Sequence, residues 1–468
     1  MNKKTSLLLL ALLFITINFL LISCANIIPP GGGPRDSLPP QLMQALPKNF
    51  STQFSSNKIV LSFNEYIELK EITKSLIVSP LPKNQPSVDY KLKTITIKLK
   101  DSLIPNTTYS INFGNSIVDI NEGNPLSNFT YVYSTGNTID SCQLKGKVIL
   151  AENGKIDSTL IAVLYSNLSD TAVITQKPLY ITQLKGDGSF TFKHIPPGIY
   201  AVYAMPNDYA KRYNDSTKLF AFTDSAINVN YSNINSTTLY AFQEAKNNQS
   251  TPVASNNNIK NNNKAKHLKY TSTVEFEKQD ILNSTLELLF TSSINKLNTS
   301  KILLTDTNFN AYNNYTTALD SVSNKIILTT SWLANTAYKL LIYKDAVYNK
   351  QGNTIAQNDT LSFLTKKETD YGALKLRFNN LDTLKYPVLL IYQQTNLVEA
   401  IKINKTIISR KLFKPGDFDL KILYDKNNNG IWNTGNYKNK LQPEIVVPLD
   451  KKLSIRANWD NEAEINIK

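Results

Sequence analysis

The sequence predicts an all-β protein made of several antiparallel sandwiches in tandem. After the first 23 residues, Thr, Ile, Val, Tyr and Phe recur in short alternating strings that Asn, Gly, Pro and Asp interrupt. Such strings are typical of strands joined by turns, whereas helix-forming runs of Ala, Glu and Leu are scarce. The chain has 468 residues, enough for three or four domains of about 100 to 150 residues each.

The first 23 residues predict a secretory signal. Lys3 and Lys4 precede an apolar run from Leu7 to Leu21. This run is shorter than the roughly 20 apolar residues that a membrane-spanning helix needs. The ending Leu21-Ile22-Ser23-Cys24 resembles the lipobox of bacterial lipoproteins, in which the cysteine thiol is acylated and becomes the mature N-terminus. The resemblance implies that Cys24 holds the chain on the lipid bilayer of the outer membrane, with acyl chains such as palmitate. An ordinary signal peptide that ends near a cysteine is the alternative.

Residues 24–38 are rich in Pro and Gly and predict a tether between the bilayer and the first domain. In Bacteroidetes-type lipoproteins, an acidic cluster just after the cysteine resembles a surface-export signal. Ala25, Asn26 and Ile27 stand there instead. The periplasmic and the surface face of the membrane therefore both stay open.

Charge and cysteine content exclude several classes of protein. The formal net charge is +14, but Lys is spread evenly among Asn, Ile and Tyr and forms no basic stripe. Solvated lysines on sheet faces explain this pattern, and we expect no nucleic-acid partner. With Cys24 acylated, Cys142 has no partner for an intramolecular disulfide, and we expect it to pack in a core.

Residues 39–137 show clear strand alternation, for example at Ile59, Leu61 and Phe63. The spacing of strands and turns indicates a sandwich of about 100 residues. The segments Pro39-Pro40, Phe63-Asn64-Glu65-Tyr66, Pro105 to Tyr109 and Asp119 to Pro125 resemble the SbsA-like bacterial Ig-like domain of many Gram-negative lipoproteins. This resemblance implies a structural spacer or binding scaffold without a common catalytic residue.

Residues 141–244 predict a second kind of sandwich. Gly186 and Gly188 permit a tight turn before Phe190 and Phe192, and Pro196-Pro197-Gly198 turns the chain into the next strand. The pattern resembles the prealbumin-like sandwich of carboxypeptidase regulatory-like modules and of collagen-adhesin B-type repeats. In those families the module is not catalytic.

The second half of the chain repeats the first. Residues 245–269 are rich in Asn and Lys and predict a disordered linker. Ser331 to Tyr338 then aligns with Ser102 to Tyr109 without a gap, which predicts a second Ig-like domain over 270–366. In this register Tyr348 replaces Asp119, so we expect no shared role for that aspartate. Trp332 is interpreted as core packing, with sugar stacking as the alternative.

Residues 371–468 echo the second domain through the corner at Lys414-Pro415-Gly416 and the strand that follows it. The predicted order is therefore Ig-like, prealbumin-like, Ig-like, prealbumin-like. Duplication of a two-domain unit accounts for both the length and the central linker.

The segment from Asp425 to Asn436 has the spacing of an EF-hand-like calcium loop. Its candidate ligands are Asp425, Asn427, Asn429 and the carbonyl of Ile431, with Gly430 at the turn position. Alternating oxygens and a glycine let such a loop close around a hard cation. Asn436 stands where a bidentate Glu is expected, however, so an Asx-rich hairpin is the favoured interpretation. No cofactor other than this candidate calcium is predicted.

Catalysis has little support in the sequence. His194 and His267 are the only histidines; one lies in the Pro-Pro-Gly corner and the other in the linker. They predict neither a His-dependent triad nor a His metal site. Glu65 is interpreted as a turn carboxylate, and no catalytic residue is predicted. Composition alone does not exclude a hydrolase with paired carboxylates.

A triplet of Asp, then Ser or Thr, then Ala, Val, Leu or Thr occurs nine times, where random pairing would give about two. It resembles the O-glycosylation acceptor of Bacteroidetes-type exported proteins. The candidate acceptors are Ser37, Ser102, Ser158, Thr171, Ser216, Ser225, Ser321, Thr360 and Thr383. Turn and strand-start preferences are the alternative explanation.

These patterns favour a non-enzymatic outer-membrane lipoprotein that acts as an envelope scaffold or a binding and adhesion module. Its protein or glycan partner is not identified by the sequence. The competing hypothesis is a carbohydrate-binding surface lipoprotein that uses exposed Tyr and Trp as stacking platforms. An aromatic row on one exposed sheet face would favour that hypothesis, whereas burial of these rings in separate cores would favour the scaffold.

Overall fold

The computed structural model describes residues 35–232, 235–245, 267–320, 322 and 324–467. The predicted signal peptide, Cys24 and most of the predicted tether and linker lie outside these ranges. Contacts divide the chain into two compact units, residues 1–141 and 142–468. The described residues form mostly antiparallel sheets with a few short helical turns, which confirms the predicted all-β class. None of the helices among them is long and apolar enough to cross a membrane.

The first unit contains one sandwich, called here the first sandwich. Its elements are β1 (Leu42–Leu46), β2 (Lys58–Phe63), β3 (Ile67–Leu69), α1 (Ile72–Ser75), β4 (Ile77–Ser79), β5 (Ser87–Lys91), β6 (Thr94–Lys98), β7 (Thr108–Asn112), β8 (Ile117–Asp119) and β9 (Thr130–Ser134). The order β1-β2-β6-β5 forms one sheet and β4-β7-β9 another, while β3 pairs with β8. As predicted, Ile59, Leu61 and Phe63 of β2 point into the core.

The second sandwich opens the second unit. Its elements are β10 (Cys142–Leu150), β11 (Leu160–Tyr165), α2 (Ala172–Thr175), β12 (Tyr180–Gln183), β13 (Ser189–Ile195), β14 (Gly198–Pro206), β15 (Ala221–Phe222), β16 (Ile227–Val229) and β17 (Asn235–Ala241). The sheet β13-β10-β17 faces the sheet β12-β11-β14-β15, with β16 also on β14. Phe190 and Phe192 are buried between the sheets, as their spacing predicts, and Cys142 packs in the same core, as expected for a free cysteine.

The third sandwich repeats the strand order of the first. Its elements are β18 (Tyr270–Ser272), β19 (Lys278–Gln279), β20 (Thr285–Phe290), β21 (Lys296–Leu297), a 3-10 turn (Thr299–Lys301), β22 (Ile302–Thr305), β23 (Tyr315–Asp320), β24 (Lys325–Thr330), β25 (Ala337–Ile342), β26 (Val347–Tyr348) and β27 (Asp359–Thr365). The sheet β18-β20-β24-β23 matches β1-β2-β6-β5, and β22-β25-β27 matches β4-β7-β9. A 3-10 turn (Glu368–Asp370) leads onward.

The fourth sandwich repeats the strand order of the second. Its elements are β28 (Gly372–Asn379), a 3-10 turn (Thr383–Lys385), β29 (Pro387–Gln393), β30 (Asn396–Lys402), β31 (Ile407–Phe413), β32 (Gly416–Tyr424), β33 (Ile445–Ile455) and β34 (Asp460–Asn466). The first and last strands, β28 and β34, pair in parallel, as β10 and β17 do. This shared departure from antiparallel pairing supports the duplication inferred from the sequence.

Candidate functional site: the junction loop of the fourth sandwich

The connection between β32 and β33, residues 425–444, is called here the junction loop. It begins and ends on a buried carboxylate. Asp425 is 0% exposed and Glu444 is 3% exposed. Burying an ionised carboxylate is costly unless hydrogen bonds replace its lost water. The partners of these two groups therefore determine how the loop folds.

Asp425 is bonded by backbone N–H groups of its own loop. The N–H of Asn429 donates to Oδ1 at 3.2 Å, and the N–H of Gly430 donates to Oδ2 at 2.6 Å. Gly430 has a φ of 85°, a backbone conformation that glycine adopts without strain. This is the turn geometry that the Asx-rich hairpin interpretation requires.

The predicted calcium ligands do come together. Asn427 and Asn429 each donate from Nδ2 to Oδ1 of Asn433, at 3.0 and 2.8 Å, while Oδ1 of Asn429 accepts the N–H of Ile431 at 2.9 Å. Asn436 instead turns toward the second sandwich and donates to Glu244. Among the described residues, no group of three or more His, Cys, Asp and Glu is arranged to hold a metal. The loop is braced through its own hydrogen bonds, and calcium binding stays a prediction.

Glu444 is the loop residue that sequence reasoning missed. It accepts the N–H of Lys426 at 2.8 Å and that of Asn433 at 2.9 Å, so it closes the loop on itself. Burial raises the pKa of the Glu444 carboxyl, and the nearby charge of Asp425 raises it further. Glu444 lies outside the twelve-residue window of the calcium motif, so the spacing gave no signal for it.

Tyr437 projects from the junction loop into the second sandwich, where four rings surround it. These rings, called here the aromatic box, are Tyr203, Tyr213, Phe220 and Phe222, with centroids 5.1 to 6.0 Å from that of Tyr437. The angles between the ring planes are all above 70°, the edge-to-face arrangement that aromatic pairs favour. Tyr437 is only 3% exposed, so it is buried among these rings.

The hydroxyl of Tyr437 is hydrogen-bonded inside this box. It donates to the carbonyl oxygen of Asp170 at 3.0 Å and lies 3.2 Å from the hydroxyl of Tyr203. Burial raises the pKa of both phenols. Both therefore stay protonated at neutral pH and act as neutral hydrogen-bonding groups.

Further polar contacts surround the box. Thr434 Oγ1 donates to the carbonyl of Gln243 at 2.5 Å, and the N–H of Tyr437 donates to Glu244 Oε1 at 2.7 Å. On the other side, Gln442 Nε2 donates to Asp224 Oδ1 at 2.8 Å. These bonds fix the junction loop in one position against the second sandwich.

Two glycines allow the close approach of these two sandwiches. A Cβ on Gly435 would lie 2.7 Å from the Phe242 ring, and a Cβ on Gly154 would lie 2.2 Å from Pro448. Next to Pro448, the N–H of Val446 donates to the carbonyl of Ala151 at 2.9 Å. The second and fourth sandwiches thus meet through backbone as well as side chains.

The first sandwich uses a buried carboxylate in a similar way. Asp119 accepts the N–H groups of Glu122, Gly123 and Asn124 at 2.6 to 2.9 Å. Burial opposes ionisation, but these three donors hold the pKa of Asp119 below its usual range. Asp119 therefore shapes the turn after β8.

The third sandwich was predicted to lack the turn that Asp119 makes. That prediction was wrong, because the turn is made by the residue after the aligned position. Tyr348 does replace Asp119, but the next residue, Asn349, accepts the N–H groups of Gln351 and Asn353 at 3.0 and 2.8 Å. A shift of one residue thus preserves the turn with a neutral side chain.

Of the other residues singled out in the sequence, Trp332 is buried at 7% exposure against Tyr338 and Phe363. This burial confirms the core interpretation and contradicts sugar stacking. Glu65 lies in the turn after β2, as predicted, and burial together with the Asp119 charge raises its pKa. His194 is the penultimate residue of β13, and His267 is exposed beside the undescribed part of the linker.

The most exposed aromatic rings lie on separate turns and not together on one sheet face. The most exposed are Tyr209, Tyr231, Phe276, Phe309 and Trp459. All five lie outside the strands. Within the described residues they form no row of stacking platforms, which weakens the carbohydrate-binding alternative.

A polar cleft of about 420 Å³ lies between the third and fourth sandwiches. Asp280 at its wall accepts the hydroxyl of Tyr371 at 2.6 Å and pairs with Lys414 at 2.9 Å. Although burial opposes ionisation, these donors lower the pKa of Asp280. Asp280 is thus held ionised and bonded, which suits a structural role at this boundary and does not suit a general acid.

Eight of the nine candidate glycosylation acceptors are described, and all eight are exposed; Ser321 lies outside the described residues. Many of the preceding aspartates form Asx turns to the residue two positions on. The bonded pairs are Asp36 to Leu38, Asp157 to Thr159, Asp215 to Thr217, Asp320 to Val322 and Asp382 to Leu384. The structure thus gives the turn explanation a physical basis, while the eight described acceptors are accessible.

Comparison with known proteins agrees with the first sandwich. Residues 36–135 match the model of the family described as bacterial Ig-like domain, which confirms the resemblance stated for this segment. The match places this segment in a class of β-sandwich modules. No curated protein matches the chain in sequence.

Three solved structures resemble the chain at low similarity. The Bacillus anthracis TIE protein is 12% identical over 94% of this chain and 76% of its own, with a TM-score of 0.17. The major pilin subunit BcpA of Bacillus cereus is 10% identical over 70% of this chain and 99% of its own, with a TM-score of 0.16. An L,D-transpeptidase from Mycobacterium smegmatis is 10% identical over 35% and 76%, also at 0.16. At such TM-scores these likenesses say nothing about activity.

Proposed function

We propose that this protein is a non-enzymatic, lipid-anchored protein of the outer membrane whose tandem sandwiches serve as an envelope scaffold or binding module. The observation that carries the proposal is the junction loop. Its buried carboxylates, Asp425 and Glu444, are bonded to backbone N–H groups, and Tyr437 fastens the second sandwich to the fourth. These side chains maintain the spacing of modules and leave no carboxylate pair facing a cleft at this site.

The anchor is supported by the lipobox-like ending at Cys24, which lies outside the described residues. The bacterial Ig-like match over 36–135 supports the scaffold role, because such modules serve as spacers and binding surfaces. The ligand of the binding module is a protein or glycan of the envelope.

The anchor is tested by the intact mass of the mature protein and by its distribution between membrane and soluble fractions. We expect a chain that begins at Cys24, carries acyl groups and sediments with outer membranes. A Cys24→Ser variant should lose the acyl mass and the membrane association. A mature chain without acyl groups that begins at another residue would overturn the anchor.

The face of the membrane is decided by protease treatment of intact and permeabilised cells. Loss of the chain in intact cells supports a surface adhesion module, and loss only after permeabilisation supports a periplasmic scaffold. A Tyr437→Ala variant tests the scaffold itself, because it releases the second sandwich from the fourth and leaves the anchor intact. Only a scaffold role predicts that this variant loses its function while it stays on the membrane.

A further inference from the structure

Three large apolar side chains are exposed together at one end of the first sandwich. Tyr66, Leu92 and Ile120 are 51%, 64% and 55% exposed. The N–H of Ile120 donates to the carbonyl of Tyr66 at 3.1 Å, and the N–H of the next residue, Ile67, donates to the carbonyl of Leu92 at 3.0 Å. Backbone pairing thus makes the three neighbours. They are called here the proximal face.

Leu92 is an unusual residue for its position. It lies in the two-residue turn between β5 and β6 with a φ of 57°, where Asn, Asp or Gly is strongly favoured. A leucine there strains the backbone and leaves an apolar side chain in water. Leu92 therefore violates the residue preference of this turn without burying its side chain in the sandwich. Such a violation is typical of a residue that serves a function.

The chain reaches the sandwich at this same end. Arg35 Nη2 donates to the carbonyl of Glu122 at 3.4 Å, and Asn124 Nδ2 donates to the carbonyl of Asp36 at 3.1 Å, on the loop that follows Ile120. Cys24 precedes Arg35 by eleven residues (35 − 24). Eleven residues span at most about 40 Å. An anchor at Cys24 would therefore hold the proximal face close to the bilayer.

The chain leaves the sandwich at the opposite end. The Leu92 turn lies before the first residue of β6, and Ile104 lies beyond the last residue of the same strand. The two positions are therefore at opposite ends of the sandwich. The carbonyl of Ile104 accepts from Thr135 Oγ1 at 2.7 Å, just before the exit, where the N–H of Asp140 donates to Thr108 Oγ1. Ile104 is 54% exposed, so it provides a matched apolar side chain at the distal end.

We infer that the proximal face, formed by Tyr66, Leu92 and Ile120, rests on the lipid bilayer to which Cys24 is attached. This inference rests on the proposed anchor. Tyrosine and lysine suit the membrane interface, since each has an apolar body and a polar tip. Lys93 Nζ lies 5.3 Å from the centroid of the Tyr66 ring and supplies such a pair.

Charges around the proximal face are mixed. Lys91 at the end of β5 and Lys93 on the turn are balanced by Glu65 and Glu122 nearby. The contact therefore depends on insertion of apolar side chains and not on anionic lipid. Three such side chains bind weakly alone, but an anchor a few nanometres away gives them a high effective concentration at the membrane.

The test is hydroxyl-radical footprinting of side chains in the full mature chain from Cys24, coupled to maleimide lipid in vesicles of saturated phosphatidylcholine. Cys142 is buried, so coupling occurs at Cys24. We expect oxidation of Tyr66, Leu92 and Ile120 to fall at least about threefold relative to the chain coupled to a soluble maleimide, while Ile104 is unchanged. Chemical coupling makes this result independent of acylation in cells, so a failed anchor and a failed contact are told apart.

A double variant, Leu92→Asn with Ile120→Ser, should return the oxidation of Tyr66 on vesicles to its value in solution. Asn suits the turn, so folding should be retained. Ile104→Ser is the matched control and should leave the protection of Tyr66 intact. Equal oxidation on vesicles and in solution, or protection that requires anionic lipid, would overturn the inference.

Discussion

The hydroxyl oxygens of Tyr203 and Tyr437 lie 3.2 Å apart, although 234 residues separate them in the chain. One belongs to a strand of the second sandwich and the other to the junction loop of the fourth. Both side chains are buried, and Glu244 accepts the backbone N–H of Tyr437 in the incoming loop. The pair therefore marks the centre of a packed boundary between two modules.

Truncation of Tyr437 should open this boundary. We expect Tyr437→Ala to cost about 3 to 5 kcal/mol, as for a buried aromatic residue, and Tyr437→Phe to cost about 1 kcal/mol through its lost hydrogen bonds. Calorimetry of the full chain should show an earlier, separate transition for the alanine variant. Tyr209→Ala, at a position that is 92% exposed, is the control. Identical melting of Tyr437→Ala and the parent chain would refute the packed boundary.

The Asp119 turn predicts a pH dependence. The folded-state pKa of Asp119 is lowered, so its contribution is fully present above the unfolded-state value of about 3.9 and is lost as the pH falls through the lower folded-state value. We expect Asp119→Ala to cost about 3 kcal/mol at pH 7 and clearly less at pH 3. Urea unfolding at both pH values measures this difference.

Asn349→Ala is the matched control for that experiment, because Asn349 makes the corresponding turn with a neutral side chain. We expect a cost of about 1 kcal/mol at both pH values. An Asp119→Ala effect that does not change between pH 7 and pH 3 would contradict the charged role of Asp119.

The junction loop should keep its shape without calcium. Backbone N–H groups already satisfy Asp425 and Glu444, so the hairpin interpretation predicts a Tm that differs by less than about 1 °C between chelator and about 1 mM calcium. Asp425→Ala should lower the Tm in both conditions. A calcium-dependent rise of several degrees that Asp425→Ala abolishes would instead establish the calcium site.

The glycosylation proposal predicts that protein purified from its native host is heavier than the lipidated polypeptide. Peptide mapping should place the added mass on exposed acceptors such as Ser158 or Thr383, and Thr383→Ala should remove one increment. If the mass matches the lipidated polypeptide, the Asx turns alone explain the triplets. Asp382→Ala should then still cost about 1 kcal/mol as a lost turn bond.

The parts of this fold that sequence could predict are those set by neighbouring residues. Alternation at Ile59 and Leu61 indicates which strand face is buried, because side chains on a strand alternate between its two sides. The repeat is visible because duplicated segments keep their spacing. By contrast, Tyr437 looks like an ordinary loop tyrosine, since its box comes from residues more than 200 positions away.

The candidate site divides in the same way. The candidate calcium ligands from Asp425 to Ile431 are visible as a local motif, whereas Glu444 becomes relevant only when β33 returns beside the loop. The Asn349 turn was missed for a smaller reason. An ungapped alignment compares Asp119 only with Tyr348, so it does not detect a turn whose side chain has moved by one residue to Asn349.

The bonds from Gln243 and Glu244 to Thr434 and Tyr437 make a closed ring of the chain between them. The third sandwich lies within this ring. A pulling force applied at residues 142 and 468 passes through the boundary between the second and fourth sandwiches, so the third bears no tension while that boundary holds. Once it opens, the force passes through residues 245–370, which hold the linker and the third sandwich (370 − 244 = 126 residues), and their full extension spans about 430 Å. The boundary thus carries the force first, and the third sandwich can unfold and lengthen the chain only after the boundary has opened.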